Sequence, residues 1–450
     1  MCSNREKHSA SSSRPVSDSR RGITLIEDSS SSPDKRVVWY RLIGITFFAF
    51  AIGMTLNTLE PSVLGHKLLE LVPEAKNTFL GIVTSAGLLV AILWQPIIGA
   101  ISDRTRSPWG RRAPYLILGT ILAIASLYTV ALAPVVGFML MGVLALQLAS
   151  NTVQGPWQAL IPDQVPQWQR GTASGLKAAF DILAFVVGRR VAGLLVADDQ
   201  VLVAVSIAAA VYILALIITL LSSREKPLND DRRSRISVQE SLVKAFSIDW
   251  KAHPGFKWWF LNRALFWGGS IALNTFMLFY LIDVLQMTEA YAQRFVANIF
   301  TVLGLALFLV TLPSGWLSDR IGRRPLVIFS GVLAAIGTTG FLFARTESAL
   351  VIIGVVIGLS VGVFLSANWA LVTDIVPRRE AARYLGIANI ATAGGSAVAR
   401  FLGGIMIDPI NTLTGTSSAG YFVLYSLAII SFILATVAIL KFPTQYASEL

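Results

Sequence analysis

Residues 95–114 read QPIIGAISDRTRSPWGRRAP. Asp103, Arg104, Arg106, Arg111 and Arg112 stand together here, between long apolar runs. Residues 312–325 repeat the arrangement as LPSGWLSDRIGRRP, with Gly, Ser, Asp and Arg in the same order. The first copy carries four extra residues between its SDR and its GRR. A charge cluster that returns between apolar segments is a structural device, and its surroundings say which kind.

Those surroundings are those of a membrane. The chain has 450 residues, 54% of them hydrophobic and only 14% charged; soluble domains carry about 25% charged residues. About twelve runs approach the roughly 20 apolar residues that one membrane crossing needs. Their approximate spans are 42–62, 78–101, 114–133, 137–160, 172–195 and 201–221, then 258–282, 295–316, 325–344, 349–372, 385–407 and 420–441. An all-α membrane protein with twelve transmembrane helices follows. Six lie on each side of a polar central loop. The expected divisions are a disordered tail (1–36), a first six-helix bundle (37–222), a central loop (223–256), a second bundle (257–442) and a short tail (443–450).

The net charge of +11 would suggest nucleic acid in a soluble protein. Here the basic residues sit in short loops on one side: Arg104 to Arg112, Arg170, Arg320 to Arg324, and Arg378, Arg379 and Arg383. The positive-inside rule places that side, and both termini, in the cytoplasm of a cell that carries the chain in its plasma or inner membrane. No nucleic-acid partner is expected. The single cysteine, Cys2, and three scattered histidines leave nothing for a metal site, and no cofactor is expected. The sequence has no nucleophile–base set and no phosphate-binding glycine loop, so neither an enzyme nor an ATP-driven pump is expected.

The two bundles are copies of one another. QALIPDQVP (158–166) matches WALVTDIVP (369–377), Arg189 falls opposite Arg400, and Gly193 falls opposite Gly404. Internal duplication in a polytopic chain marks secondary transporters that bind solute between the halves near midplane. In that setting the repeated cluster reads as a conformational latch that ties one half to the other on the cytoplasmic side. Gly99 and Gly315 permit close helix approach. Asp103 and Asp319 pair with Arg104, Arg111 and Arg112 and with Arg320, Arg323 and Arg324. The simpler reading is a loop that only fixes topology.

GWLSDRIGRRP resembles the cytoplasmic-loop signature of the major facilitator superfamily. Within that superfamily, residues 87–119 and the stretch NTVQGPWQALIPD (151–163) resemble sucrose–proton symporters and the glycoside–pentoside–hexuronide branch. FAIGMTLNTLEP (50–61) stands where these have an aromatic and polar first helix ending before proline. The resemblance spans about residues 38–442 and implies proton-coupled symport of a sugar or glycoside by alternating access. The chain departs from the pattern at Trp157 and Gln158, where the family has Cys and Arg, and at Glu60, where the family residue is neutral.

Charges inside membrane helices are expensive and need a reason. Asp181 falls about 15 Å along its helix, with Lys177 one turn before it on the same face. Glu60, Asp181, Lys177 and Arg189 are the candidates for proton coupling. A structural ion pair and arginines reaching for the interface are the competing reading. Gln147, Asn151, Gln154 and Gln158 recur at spacings of four, three and four on one face of the fourth helix, where amides suit neutral hydroxyls. Asn57, Asn151, Gln154, Trp157, Gln158, Asn274, Asn368 and Trp369 are the candidates for substrate binding, with Trp157 offering an indole face for a sugar ring. The expected partners are a small solute, protons and the bilayer, and the expected working unit is a monomer. An exporter or carrier of a cationic or zwitterionic solute, and a non-transporting sensor on the same fold, remain as alternatives.

Overall fold

A computed structural model describes residues 36–223, 254–376 and 381–442. The N-terminal tail, most of the central loop, Arg378, Arg379 and residues 443–450 lie outside the described residues.

Among the described residues, twelve long helices follow one another, with short connections within each half. In the first half they are α1 (Trp39–Leu71), α2 (Lys76–Arg104), α3 (Ala113–Ala131), α4 (Val136–Gln164), α5 (Arg170–Ala197) and α6 (Val201–Ser222). The second half has α7 (Pro254–Asp283), α8 (Glu289–Ile321), α9 (Arg323–Phe343), α10 (Glu347–Ile375), α11 (Ala381–Thr414) and α12 (Ala419–Leu440). The sequence reading of twelve spans in two halves of six stands. Eleven of these helices are long and apolar enough to cross a membrane. The exception is α5, whose apolar run is interrupted by Lys177, Asp181, Arg189 and Arg190. A helix satisfies its backbone polar groups internally, which is what a hydrocarbon surrounding demands.

Each half packs its own aromatic group within one continuous apolar core. In the first, Phe48 meets Trp157 and Tyr212, with ring centroids 6.2 and 5.4 Å away. In the second, Phe266 stacks on Phe364 at 3.6 Å, and Tyr280 packs against Tyr421 and Tyr425. The halves meet through α2 on α11 and α5 on α8.

These contacts are concentrated away from the basic loops. A Cβ built on Gly404 of α11 would lie 2.8 Å from the Cα of Gly81 and 3.1 Å from the Asn77 carbonyl oxygen. Its counterpart Gly193 in α5 approaches Ala297 and the Gln293 carbonyl of α8 equally closely. At the other end of the same helices, a Cβ on Gly99, Gly171 or Gly175 would meet nothing within 4 Å. Buried positions follow the same division. Between Asn77 and Gly87, α2 buries seven residues, but beyond Gly87 only Ile98 and Ser102. The two halves are therefore in contact at the end far from the basic loops and splayed at the basic end.

Candidate functional site

A cavity of about 540 Å³ lies between the halves, within the range of small-molecule sites. The break in α1 shapes its closed end. Pro61 disfavours helical geometry in the residue before it, and Glu60 adopts φ −108°, ψ 128° inside an otherwise helical segment. The Glu60 carboxylate meets Arg400 of the other half through both oxygens, at 3.0 and 2.9 Å. Both side chains are mostly buried, at 18% and 12% exposure. A paired fork of this kind is the strongest geometry for an Arg–carboxylate contact.

Arg189, the partner of Arg400 in the repeat, is 6% exposed. Its Nε donates to Asn57 Oδ1 at 2.9 Å, and Nη2 donates to Asn274 Oδ1 of the other half at 3.0 Å. The guanidinium lies over Phe185 and Phe300, 4.8 and 4.1 Å from their ring centroids. Both arginines, Glu60, Asn57 and Asn274 line the cavity.

Further along, the polar lining includes the amides Gln95, Gln147, Asn151 and Gln154, together with Asp181. Lys177 donates to Asp181 at 2.8 Å. This pair is half-exposed, on the splayed part of α5.

Of the candidates for substrate binding, Asn57, Asn151, Gln154 and Asn274 line the cavity, while Trp157, Gln158, Asn368 and Trp369 do not. Trp157 is fully buried and donates its indole N–H to the Ile45 carbonyl, at 2.7 Å; it braces α4 against α1. Asn368 is also fully buried. It accepts from Arg263 and donates to Asn262, at 2.8 and 2.9 Å. Trp369 lies over the same Arg263. Gln158 accepts a long 3.4 Å hydrogen bond from Gln95. A face at helical spacing looks the same in sequence whether it meets a cavity or a neighbouring helix, so sequence alone does not separate these four from the rest. Among the coupling candidates, Glu60, Asp181 and Arg189 line the cavity, and Lys177 reaches it only through Asp181. Arg400 joins the site through Glu60, and its place opposite Arg189 in the repeat is the sequence signal for it.

The recurring charge motif builds the same contact in both halves. Gly110 and Gly322 hold φ +100° and +89° immediately before the paired arginines, a conformation that suits glycine. The following turn brings Arg112 to Asp163 at the end of α4, at 2.7 Å, and to Asp103 at 3.1 Å. Arg111 also reaches Asp163, at 2.7 Å. In the second half, Arg323 pairs with Asp374 at the end of α10, and with Asp319 at 3.9 Å. Arg324 donates to the Ile439 and Leu440 carbonyls at 3.2 and 2.5 Å, and Arg320 stacks on Trp316, 3.8 Å from its ring centroid. Gly315 approaches only Ser366 of its own half. These described pairs tie helices within a half, so the expected tie across the halves is not what they form. Sequence reasoning misses Asp163 and Asp374 as acceptors, although both lie in the repeated stretches QALIPDQVP and WALVTDIVP.

Among the described residues, cross-half polar contacts gather at the closed end. Lys76 meets Asp283 at 2.7 Å, and Asp408 accepts from Asn77 and Thr78 at 2.7 to 2.9 Å. His66 contacts Glu289 at 2.8 Å, and Asp198 pairs with Arg294.

Comparison with known proteins agrees with this architecture. The minor myo-inositol transporter IolF of Bacillus subtilis is 33% identical over 88 residues, 20% of each chain. Sucrose transport protein SUC4 of Arabidopsis thaliana is 27% identical over 201 residues, 40% of this chain and 36% of that protein. The matched segments thus span well under half of these relatives. The solved structure of the nucleoside transporter NupG superposes with a TM-score of 0.68 at 16% identity, covering 90% of this chain and 99% of that one. A bacterial homologue of the human lysosomal transporter Spinster, inward-facing and occupied, gives 0.66 at 15% identity, over 91% and 96%. The family described as MFS/sugar transport protein matches residues 46–443, and the chain belongs to that family of membrane transporters.

Proposed function

We propose that this transporter carries a small polyhydroxylated solute by proton-coupled symport with alternating access. The observation that carries the reading is the Glu60–Arg400 pair, which joins the halves where the cavity is closed. Protonating Glu60 removes one partner of a buried ion pair and leaves Arg400 uncompensated, which weakens the closed end by about 3–5 kcal/mol. Proton arrival and reorientation are thereby linked. Asp181, on the half-exposed face of α5, offers a second proton site nearer the basic end. The amides of α4 supply paired donors and acceptors for hydroxyls.

The positive-inside bias orients the splayed end to the cytoplasm, so the described state is open inward, and both termini are cytoplasmic. The site lies inside one chain, and the working unit is a monomer in the cell membrane. The repeated arginine–aspartate clusters brace each half as a rigid body and latch the halves in the opposite, outward-open state. The network of Glu60, Arg189 and Arg400 favours a second reading, a carrier or exporter of a charged non-sugar solute. A sensor without transport makes no use of a cavity closed at one end by cross-half ion pairs.

The test is uptake of labelled sucrose and myo-inositol into proteoliposomes, with and without an inward proton gradient and without sodium. Accumulation above equilibrium with the gradient is expected, and its loss in Glu60→Gln with facilitated exchange retained. Uptake that ignores the gradient defeats the coupling.

A further inference from the structure

Helix α2 begins without a cap of its own. The residue before it is Ala75, whose methyl group accepts nothing, and the first N–H groups of a helix find no acceptor within it. The acceptor comes from the other half. On Oδ2, Asp408 of α11 takes the Thr78 backbone N–H at 2.8 Å and the Thr78 hydroxyl at 2.9 Å; on Oδ1 it takes the Asn77 side-chain amide at 2.7 Å. Thr78 is the third residue of α2, the position whose N–H an N-cap side chain ordinarily takes. A carboxylate there also meets the positive end of the helix. The contact is tied into a wider network. Asn77 is fully buried and donates to Tyr421 at 3.0 Å; Tyr421 donates to Asp283 at 2.6 Å, and Asp283 accepts from Lys76, the first residue of α2, at 2.7 Å. The duplicated unit sharpens the contrast. Helix α8, the counterpart of α2, opens with Thr288 as its own N-cap, which accepts from the Tyr291 N–H. At the offset that sets Arg189 opposite Arg400, the residue of α5 opposite Asp408 is Ala197. One helix is capped locally, and the other borrows its cap across the halves.

We propose that Asp408 is a gating residue: it caps α2 from the opposite half, so the first turn of α2 is complete only while this end of the molecule is closed. Opening the end strips the cap from Thr78 and returns Asp408 to water. The cost falls on the state open at this end and on no other, so the cap sets how seldom that state is visited. This rests on the alternating-access reading above. It differs from the other polar contacts at the closed end in one testable respect. A cap built into α2 itself serves both states, and so cancels the bias without breaking any contact.

The experiment follows opening of this end in the full chain in nanodiscs, by the rate at which a bulky maleimide labels Ser85→Cys in a Cys2→Ser background. Ser85 is buried, about two turns further along α2. Asp408→Ala is expected to raise the rate about twofold to thirtyfold, the factor that loss of one N-cap represents. Asp408→Asn, which keeps one acceptor oxygen, is expected to raise it less. Ala75→Ser gives α2 a local cap and removes no contact, and it too is expected to raise the rate. In the Asp408→Ala background neither state is capped, so the local cap stabilises both alike and Ala75→Ser is expected to change nothing. An unchanged rate in Asp408→Ala, an unchanged or lower rate in Ala75→Ser, or the same rise from Ala75→Ser in both backgrounds overturns the proposal. Should Asp408→Ala fail to fold, Ala75→Ser in the otherwise native chain decides it. Gly404→Leu separates the cap from the reading beneath it. If that variant raises the rate and the cap variants do not, alternating access stands and the cap falls; if no variant raises the rate, both fall.

Discussion

The two ends of α2 and α11 both carry glycine and have opposite surroundings. At one end Gly81 and Gly404 bring two backbones together, and Lys76, Asn77 and Thr78 reach acids on the other half. At the other, Gly99 and Gly394 face open space. The same residue type therefore serves as a point of contact at one end and stands free at the other. The described state is thus defined by which end the halves share, and tests should act unequally on the two ends.

The largest effect on the balance between the two ends is expected where a side chain must enter the contact. Gly404→Leu drives a branched chain into the α2 backbone, and overpacking costs about 1–3 kcal/mol. The natural chain has one cysteine, Cys2, so Ser85→Cys in a Cys2→Ser background reports opening of this end. Ser85 is 5% exposed and donates to the Ala397 carbonyl across the halves at 3.0 Å. Gly404→Leu should raise its labelling by a membrane-impermeant maleimide about tenfold or more. Gly175→Leu, at the splayed end, should leave the labelling unchanged or lower it. Equal effects from the two substitutions would break the comparison.

The basic end offers a second contrast, between copies of one motif. Arg112 is 3% exposed and bridges Asp163 and Asp103, whereas Arg323 is 21% exposed. Arg112→Ala should therefore cost more stability, about 3–5 kcal/mol as for a broken buried pair, and Arg323→Ala about half that. Thermal unfolding in detergent ranks them, and the reverse order would show that exposure does not set the difference. The smallest stability effect belongs to Lys177–Asp181, whose side chains are 30% and 47% exposed. Asp181→Asn should change stability by under about 1 kcal/mol, while the pH dependence of uptake shifts if this carboxyl carries a proton. An unchanged pH profile would leave Glu60 as the single coupling group.

Hydropathy and loop charge make the helix count, the six-plus-six division and the basic end legible, because each follows from local sequence. The duplication is legible too, and it carries Arg400 and both acceptor aspartates in plain view. What sequence lacks is direction. Trp157 and Asn151 lie on one helix within two turns, yet one braces α1 and the other faces the cavity. Periodicity names a polar face without naming its neighbour. Arg263, which organises Asn368 and Thr392 in α10 and α11, has no charged counterpart in the first half to draw notice: the equivalent position is Ile52.

The charged α5 has a consequence for how the chain is made. A helix carrying Lys177, Asp181, Arg189 and Arg190 is a poor client for the insertion machinery, since each charge near the helix centre costs about 2.5–3.5 kcal/mol. Part of its compensation comes from Asn57, synthesised before it, and part from Asn274, which emerges only with α7. The biogenesis of the first half is therefore completed by the second. A ribosome stalled between the two should leave α5 poorly retained in the bilayer, and a nascent chain extended through α7 should hold it there.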